Sequence, residues 1–252
     1  MPRAKLRPAR VLLALVLLTI LGIGWWSSTR QVNNDKPIGL FTTLPIMWSD
    51  NPDLTAALDA NVPQHWARAE LTRHGKIEPI DVLSDVSLDR VRRLVIAQPR
   101  VLAPPENVAL DAWVQGGGQL LLLADPALTE DSAYSLSDPR RPQAVVLLSP
   151  ILARWGLELR IADGQELGEA SREVMGLAVP VNLPGHFVIL GQNGSKDQAR
   201  CKLWADGLAV FCQVGQGHVI ALADAAVLDR DDPARARAKA FGGLLDAAFA
   251  VR

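Results

Sequence analysis

The fold is decided by residues 93–126, which read RLVIAQPRVLAPPENVALDAWVQGGGQLLLLADP. Two segments, at 93–97 and 119–124, are apolar after their first residue and fit strands that are buried on both faces. Between them, Pro104 opens a stretch with apolar residues at helical spacing, and Gly116 follows its end, which predicts a helix. A strand, a helix and a strand of these lengths form a β-α-β unit, so the segment predicts a parallel sheet with a right-handed crossover.

The same alternation of strands and helices extends on both sides of this unit. The Gly- and Pro-punctuated segment at about 164–214 interrupts it, and we expect a small antiparallel β insertion there. The sequence therefore predicts an α/β domain over 37–252, with an open, mostly parallel sheet and helices on both faces. Its other predicted strands lie at 37–42, 77–83, 157–161 and 217–223, and its other predicted helices at 53–60, 63–74, 147–155 and 234–251.

The composition sets limits on the class of protein. The chain has 252 residues, of which 49% are hydrophobic and 21% charged, so it can bury a sizeable core and is too apolar for a disordered chain. Four of its 26 basic residues lie within the first ten positions, ahead of any acid. The remaining 22 basic and 27 acidic side chains leave a net charge of −5 on everything that follows. This mildly acidic body argues against a nucleic-acid surface, which needs a basic stripe.

Residues 11–26 form an uncharged apolar run, VLLALVLLTILGIGWW, after the basic tail at 1–10. As a helix this run is about 24 Å long, which is enough to span a thin membrane with flanking anchors. The basic flank predicts a cytoplasmic N-terminus, a single pass through the inner membrane, a polar linker at 27–36 and a periplasmic domain. A cleaved signal peptide is the alternative, because Gly22 and Gly24 have the spacing of a cleavage site. The tryptophans at 25–26 resemble an interfacial belt and favour the uncleaved anchor.

The two cysteines flank a predicted hairpin. Two short apolar runs surround Asp206-Gly207, and a loop symmetric about this pair places Cys201 directly opposite Cys212. A disulfide is then expected in an oxidising compartment. A one-residue bulge at Gly207 would separate the two cysteines, and two buried free thiols are the alternative.

Polar residues follow several of the predicted parallel strands. In an open parallel sheet the functional crevice lies beyond the carboxyl ends of the strands, where these side chains could hold a small polar ligand or a divalent cation. The competing interpretation is structural, since an aspartate at a strand end commonly makes a turn or caps a backbone amide. The candidate ligand-binding residues are Thr42, Thr43, Gln98, Asp125 and Asp224.

Other chemistry has weaker support in the sequence. A nucleophile elbow needs a serine or cysteine at a strand end, and the predicted strands end in Gln98-Pro99 and Asp125-Pro126 instead. The four histidines are scattered, with no pair at metal-ligand spacing. Gly215-Gln-Gly217 lacks the third glycine of a dinucleotide-binding loop and indicates a tight turn. We therefore expect no catalytic residues, no metal and no cofactor, and a protein that is not an enzyme.

Three segments together resemble a known family. They are LVIAQP at 94–99 with the Pro-Pro-Glu helix start, DAWVQGGGQLLLLADP at 111–126 with LARWGL at 152–157, and VGQGHVIALAD at 214–224. In this order they are similar to the GldG-like auxiliary proteins of ABC transport systems. The extracytoplasmic domain of that family resembles a class I glutamine amidotransferase fold without its catalytic residues. The resemblance implies a membrane-tethered domain that works beside a permease and an ATPase.

Three functions remain open on the sequence alone. The first is a non-enzymatic, extracytoplasmic accessory or binding component of an ABC-type transport system, with permease and ATPase subunits as partners. The second is a ligand-binding or hydrolytic α/β domain that uses the aspartates at the sheet edge. The third is a structural protein of the cell envelope.

Overall fold

A seven-stranded sheet forms the centre of the protein in the computed structural model, which describes residues 36–48, 64–191, 199–232 and 235–250. The sheet order is β2-β1-β3-β4-β11-β10-β9. The strands are β1 (Ile38–Thr42), β2 (Ile77–Pro79), β3 (Arg93–Ala97), β4 (Gln119–Leu123), β9 (Arg200–Trp204), β10 (Ala209–Val214) and β11 (Gly217–Leu222). Two further pairs are β5 (Leu157–Ile161) with β8 (Gly185–Ile189) and β6 (Ala170–Val174) with β7 (Leu177–Val181).

Five of the seven strands, β1 to β4 and β11, pair with one another in parallel. Val95 in β3 lies between Leu40 of β1 and Leu121 of β4, and Leu121 in turn pairs with Ile220 of β11. All four side chains, which share one face, are at most 2% exposed, and so are Leu94 and Ile96 on the opposite face, as expected for strands covered on both faces. The mixed α/β fold and the mostly parallel sheet predicted from residues 93–126 are therefore confirmed.

Helices cover both faces of this sheet. They are α1 (Trp66–His74), α2 (Asp85–Leu88), α3 (Pro104–Gln115), α4 (Ser149–Arg154) and α5 (Ala236–Phe249). Leu110 of α3 and Leu152 of α4 pack with Leu94 and Ile96 on one face, whereas α1 and α5 pack with Val95 on the other. Burial of each large aliphatic side chain contributes about 1.5 to 3 kcal/mol to the stability of the fold. The alternating apolar residues of β3 therefore stabilise the packing of the helices on both faces of the sheet.

The cysteine hairpin departs from the prediction. It was expected in a separate β insertion at about 164–214, but β9 and β10 extend the main sheet beyond β11. The physical reason is the tight turn at Gly215-Gln216, which brings Val214 beside Gly217 and pairs β10 with β11 along its whole length. Only the β5–β8 and β6–β7 pairs form small sheets apart from the main one in the described residues.

Several element boundaries also differ from the prediction. The predicted strand at 77–83 ends at Pro79, since Ser84 caps α2 by accepting a hydrogen bond from the Ser87 amide. Helix α1 begins at Trp66, with the His65 Nδ1 accepting from the Ala67 amide at 3.2 Å. The predicted helix at 53–60 and Pro63 lie outside the described residues.

The predicted tail at 1–10, the apolar run at 11–26 and the linker up to residue 35 also lie outside the described residues. Within the part of the chain that the structure describes, no helix is both long and apolar enough to span a bilayer.

Candidate functional site

All five predicted site residues lie along the carboxyl edge of the main sheet. The register pairs Thr42 with Ala97, Ala97 with Leu123, and Leu123 with Leu222, so the residues after these positions meet at one edge. The chain goes from β1 to β2 on one side and then crosses to β3 on the other side of β1. Such a switch point opens a crevice in parallel α/β sheets. The two halves of this edge differ: the β1–β3 half is an open cleft, and the β4–β11 half is closed.

Gln98 joins the two halves. It is fully buried, and its Nε2 donates to the backbone oxygens of Asp125 (3.1 Å) and Gln143 (2.7 Å), while its Oε1 accepts from the Asp125 amide at 2.9 Å. Its backbone φ of 40° is in the left-handed region, which is costly for a residue with a side chain. Gln98 therefore has a structural role. Its buried side-chain amide bonds the backbone of two loops and is not available to a ligand.

The two threonines have different roles. The Thr43 hydroxyl donates to the Gln98 backbone oxygen at 2.5 Å and accepts from the Gln143 amide at 3.1 Å, so it belongs to the same hydrogen-bond network as Gln98. The Thr42 hydroxyl accepts from the Leu44 amide at 2.9 Å, and its own proton has no acceptor among the residues that the structure describes. Only Thr42 of the pair can still donate to a ligand.

Asp125 and Asp224 lie in the closed half, and neither is exposed to solvent. Asp125 accepts from the amides of Ala127 (2.7 Å) and Ala225 (3.1 Å). Asp224 accepts from the amides of Asn182 (2.9 Å) and Ala226 (2.6 Å). Each of the four carboxylate oxygens thus binds a backbone N–H, which is the capping role that competed with ligand binding in the sequence interpretation.

Burial raises the pKa values of the carboxyl groups in this half of the edge. Desolvation raises the pKa of Asp125 to about 6 and that of Asp224 to about 8, the latter with a contribution from the charge of Asp125. Nearby, desolvation raises the pKa of Glu130 to about 7 and also raises that of Asp229. The buried cation here is Arg237, which contacts Glu169 at 2.5 Å and Asp229 at 3.2 Å.

The open half is a cleft of about 270 Å³. Its floor is the end of β1, and its walls come from the loops after β1, β2 and β3 and from the loop at 139–140. Trp48 at its rim is 46% exposed. The lining residues are Phe41, Thr42, Thr43, Trp48, Ile80, Asp81, Arg100, Pro139 and Arg140.

Two arginines in the cleft lie over aromatic rings. The Arg100 guanidinium lies 5.1 Å from the Phe41 ring centroid and forms two 2.8 Å bonds to Glu106, and this pairing lowers the Glu106 pKa to about 2. Its Nη groups also donate to the backbone oxygens of Asp81 and Val101. These bonds occupy all four Nη protons, so Arg100 shapes the wall of the cleft.

Arg140 is less completely engaged. It lies 4.4 Å from the Tyr134 ring centroid and donates from Nε and Nη2 to Asp138, at 3.0 and 2.8 Å. Three of its five N–H groups have no partner among the residues that the structure describes. The same holds for the Asp81 carboxylate, which receives no hydrogen bond or ion pair from the described ranges. Arg140 and Asp81 are the charged groups of the cleft that can bind a ligand.

The sequence interpretation missed Trp48, Asp81, Arg100 and Arg140. Arg100 follows the end of β3 by three residues, so extending the search a few positions beyond that strand finds it. Asp81 lies within the predicted strand at 77–83 and follows the strand end only because β2 stops at Pro79. Arg140 comes from a loop whose position no spacing in the sequence indicates.

The structure places a disulfide between Cys201 and Cys212, which face each other in the β9–β10 ladder with Cα atoms 4.1 Å apart. The turn at 205–208 is symmetric about Asp206-Gly207, with Trp204 beside Ala209. Across the described ranges, no group of three or more His, Cys, Asp or Glu side chains could hold a metal ion.

Comparison with known proteins gives structural likenesses only. No protein-family model matches the sequence, and no curated protein matches it. An exo-β-1,4-mannosidase from Opitutaceae bacterium strain TAV5 is 18% identical with a TM-score of 0.49, over 94% of this chain and 40% of the enzyme. A β-galactosidase from Bacillus circulans sp. alkalophilus is 10% identical with a TM-score of 0.45, over 87% and 32%. A cytoplasmic protein from Salmonella typhimurium is 12% identical with a TM-score of 0.42, over 82% and 97%.

These likenesses correct one expectation. The prediction that the chain is not an enzyme does not stand, because the structurally similar proteins include glycoside hydrolases. The chain spans 40% or less of the length of those enzymes. At these identities and TM-scores, their activities and substrates are not transferred to this chain.

Proposed function

We propose that this protein is an extracytoplasmic binding component of an ABC-type transport system, held at the inner membrane by residues 11–26. In this proposal the carboxyl-edge cleft between β1 and β3 binds a small ligand, and the domain presents that ligand to a permease with its ATPase. The observation that carries the proposal is the cleft at the switch point of the sheet, where a half-exposed indole faces polar groups.

The transport assignment is supported by the resemblance to GldG-like proteins over roughly 36–224 and by the uncharged run at 11–26. The finer fold that the resemblance implies, that of class I glutamine amidotransferases, is part of the proposal. The turn after β3 supports it, because Gln98 there has a φ of 40°, the strained conformation expected of a nucleophile elbow. An amide in that position cannot act as the nucleophile.

The proposal places the ligand in the open half of the edge and not on the aspartates. A ligand on Asp125 or Asp224 would have to displace backbone amides from buried carboxylates, at a cost of about 1 to 3 kcal/mol for each amide left unpaired. The cleft already offers Trp48, Asp81 and Arg140 without any such rearrangement.

A thermal-shift screen of the full chain in mild detergent tests the binding role. The probes are amino acids, dicarboxylates, inorganic phosphate, hexoses and magnesium. At least one should raise the unfolding temperature with increasing concentration, as mass action requires. The shift should disappear in Trp48→Ala and persist in Leu167→Ala, a control that removes another exposed side chain outside the cleft. A screen without any shift would contradict the binding role.

Affinity purification from membranes tests the transport role separately. A tagged full-length chain, extracted with mild detergent, should recover a permease and an ATPase that an untagged control does not. Recovery of the chain alone would contradict the transport assignment without affecting the ligand screen.

A further inference from the structure

We propose that the ligand of the cleft is a neutral, hydroxyl-rich molecule about one sugar ring in size. This inference rests on the proposed function, because it names the chemical class of ligand for the same cleft. It follows from the charge, the available hydrogen-bonding groups and the size of the cleft.

The charges of the cleft disfavour a strongly anionic ligand. Each arginine is matched by its own carboxylate: Arg100 by Glu106, and Arg140 by Asp138. Asp81 adds one further negative charge, which interacts with Arg100 at longer range and forms no ion pair within the described residues. The lining and its immediate partners therefore carry a net charge of about −1, which repels a carboxylate or phosphate while leaving a neutral ligand unaffected.

The groups available for hydrogen bonding are of both kinds. The Asp81 carboxylate can only accept, whereas the Arg140 N–H groups and the Thr42 hydroxyl proton can donate. A ligand hydroxyl is both donor and acceptor, so neighbouring hydroxyls can donate to Asp81 and accept from Arg140. A ligand that only accepts or only donates would leave one of these groups unpaired.

The indole of Trp48 completes the recognition chemistry. With 46% of its surface exposed at the rim of the cleft, it offers a flat apolar face beside polar walls. A sugar ring presents C–H groups on its face and hydroxyls at its edge, which matches this arrangement. The volume of about 270 Å³ is just below the roughly 300 Å³ at which pockets for drug-sized ligands begin, so a single ring fits and an oligomer would extend outside.

Isothermal titration of the full chain in mild detergent tests the ligand class. The probes are glucose, mannose, galactose and myo-inositol, against glutamate, succinate and inorganic phosphate. At least one of the neutral compounds should bind, and its affinity should change by less than about twofold between 50 and 500 mM sodium chloride, because a neutral ligand is little affected by screening.

Three substitutions should weaken that binding, with matched controls. Asp81→Asn and Arg140→Gln each remove a charge-assisted hydrogen bond, and each should weaken the affinity at least about tenfold. Trp48→Ala should weaken it at least about fivefold, with partial recovery in Trp48→Phe, which restores an aromatic face. Asp163→Asn and Arg160→Gln, which change an exposed acid and an exposed ion-paired arginine outside the cleft, should bind like the unaltered chain.

The outcomes separate this inference from the proposed function. If an acid, phosphate or amino acid binds and Trp48→Ala abolishes its binding, the cleft remains the ligand site and the proposed ligand class is wrong. If a neutral compound binds equally well to all three cleft variants, the site lies elsewhere and both are wrong. If none of the probes binds, the ligand class is overturned, and the purification experiment still tests the transport role.

Discussion

Asp125 and Asp224 each follow the end of one of two neighbouring parallel strands by two residues, and their carboxylates accept hydrogen bonds from two consecutive amides of one turn, those of Ala225 and Ala226. Both side chains are fully buried, and the described structure places no cation in hydrogen-bond contact with either. Desolvation therefore favours the protonated form of each carboxyl, and ionising one makes it harder to ionise the other.

This pair predicts how stability depends on pH. Because the pKa values of Asp125 and Asp224 are raised to about 6 and about 8 from 3.8, the folded state binds more protons than the unfolded state between these limits. The free energy of unfolding should therefore fall as the pH rises from about 4 to about 8, by several kcal/mol. Glu130, with its pKa raised from 4.5 to about 7, acts in the same direction.

Urea unfolding at a series of pH values, followed by tryptophan fluorescence, measures this dependence. Asp224→Asn should flatten the curve between pH 6 and 8, since the amide does not titrate. Below pH 4.5 stability should decline again, because Glu106 takes up a proton in the unfolded chain while its folded-state pKa, lowered to about 2, keeps it ionised in the folded state. A free energy of unfolding that rises between pH 5 and 8 would contradict the raised pKa values.

Removing the disulfide should destabilise the fold. The bond between Cys201 and Cys212 closes a short loop, and the constraint it places on the unfolded chain is worth about 2 to 3 kcal/mol. The double variant Cys201→Ala/Cys212→Ala should unfold at a correspondingly lower urea concentration. Addition of a reductant should lower the midpoint of the unaltered chain and leave that of the double variant unchanged. Equal midpoints for the two proteins without reductant would show that the disulfide contributes nothing.

Gln98 should be intolerant of substitution for reasons of hydrogen bonding. Gln98→Ala leaves the Asp125 amide and two backbone oxygens without their partner, and we expect a loss of at least about 2 kcal/mol. Gln98→Glu keeps an acceptor but directs a carboxylate at two carbonyl oxygens. At pH 8, Gln98→Glu should lower the free energy of unfolding, relative to the unaltered chain at the same pH, as much as Gln98→Ala does. At pH 5 the loss should be smaller, because the carboxyl can take up a proton and donate. Chemical denaturation at both pH values distinguishes the two variants.

Gly217 should not accept even a methyl group. A Cβ there would overlap the backbone oxygens of Val114 and Gly118, which are fixed by α3 and by the turn after it. Gly217→Ala should lower stability by about 3 kcal/mol or more, or prevent folding. Gly191→Ala is the matched control, because no heavy atom beyond its chain neighbours lies within 4 Å of the added Cβ. Similar unfolding temperatures for both variants would contradict this close approach of β11 to α3.

The parts of the fold that the sequence predicted well are those where one local pattern allows a single outcome. The apolar runs of β3, β4 and β11 are buried on both faces, and the centre of a parallel sheet covered by helices provides that environment. The place of the cysteine hairpin was predicted wrongly because a strand pattern does not indicate its partner. The tight turn at Gly215-Gln216 carried that information, since it requires β10 to pair with β11.

The candidate site was predictable only in part. The strand-end rule located the edge that carries the cleft, and Thr42, Thr43, Gln98, Asp125 and Asp224 all lie along it. It could not distinguish side chains that bind backbone from side chains that face solvent, because that depends on loops that return to the edge from far along the chain. Gln143, which binds both Gln98 and Thr43, and Arg140, which lines the cleft, belong to such a loop.

The two outermost strands of the main sheet also affect how copies of the chain meet. At one end β2 has three residues and finishes in Pro79, which cannot donate to a further strand; at the other end β9 carries Arg200 and Lys202. Short edges, proline and charged side chains discourage an added strand from a neighbouring molecule. The cross-link to β10 also holds β9 in register, so this strand is less able to exchange between copies. The sheet is thereby protected against edge-to-edge aggregation at both ends.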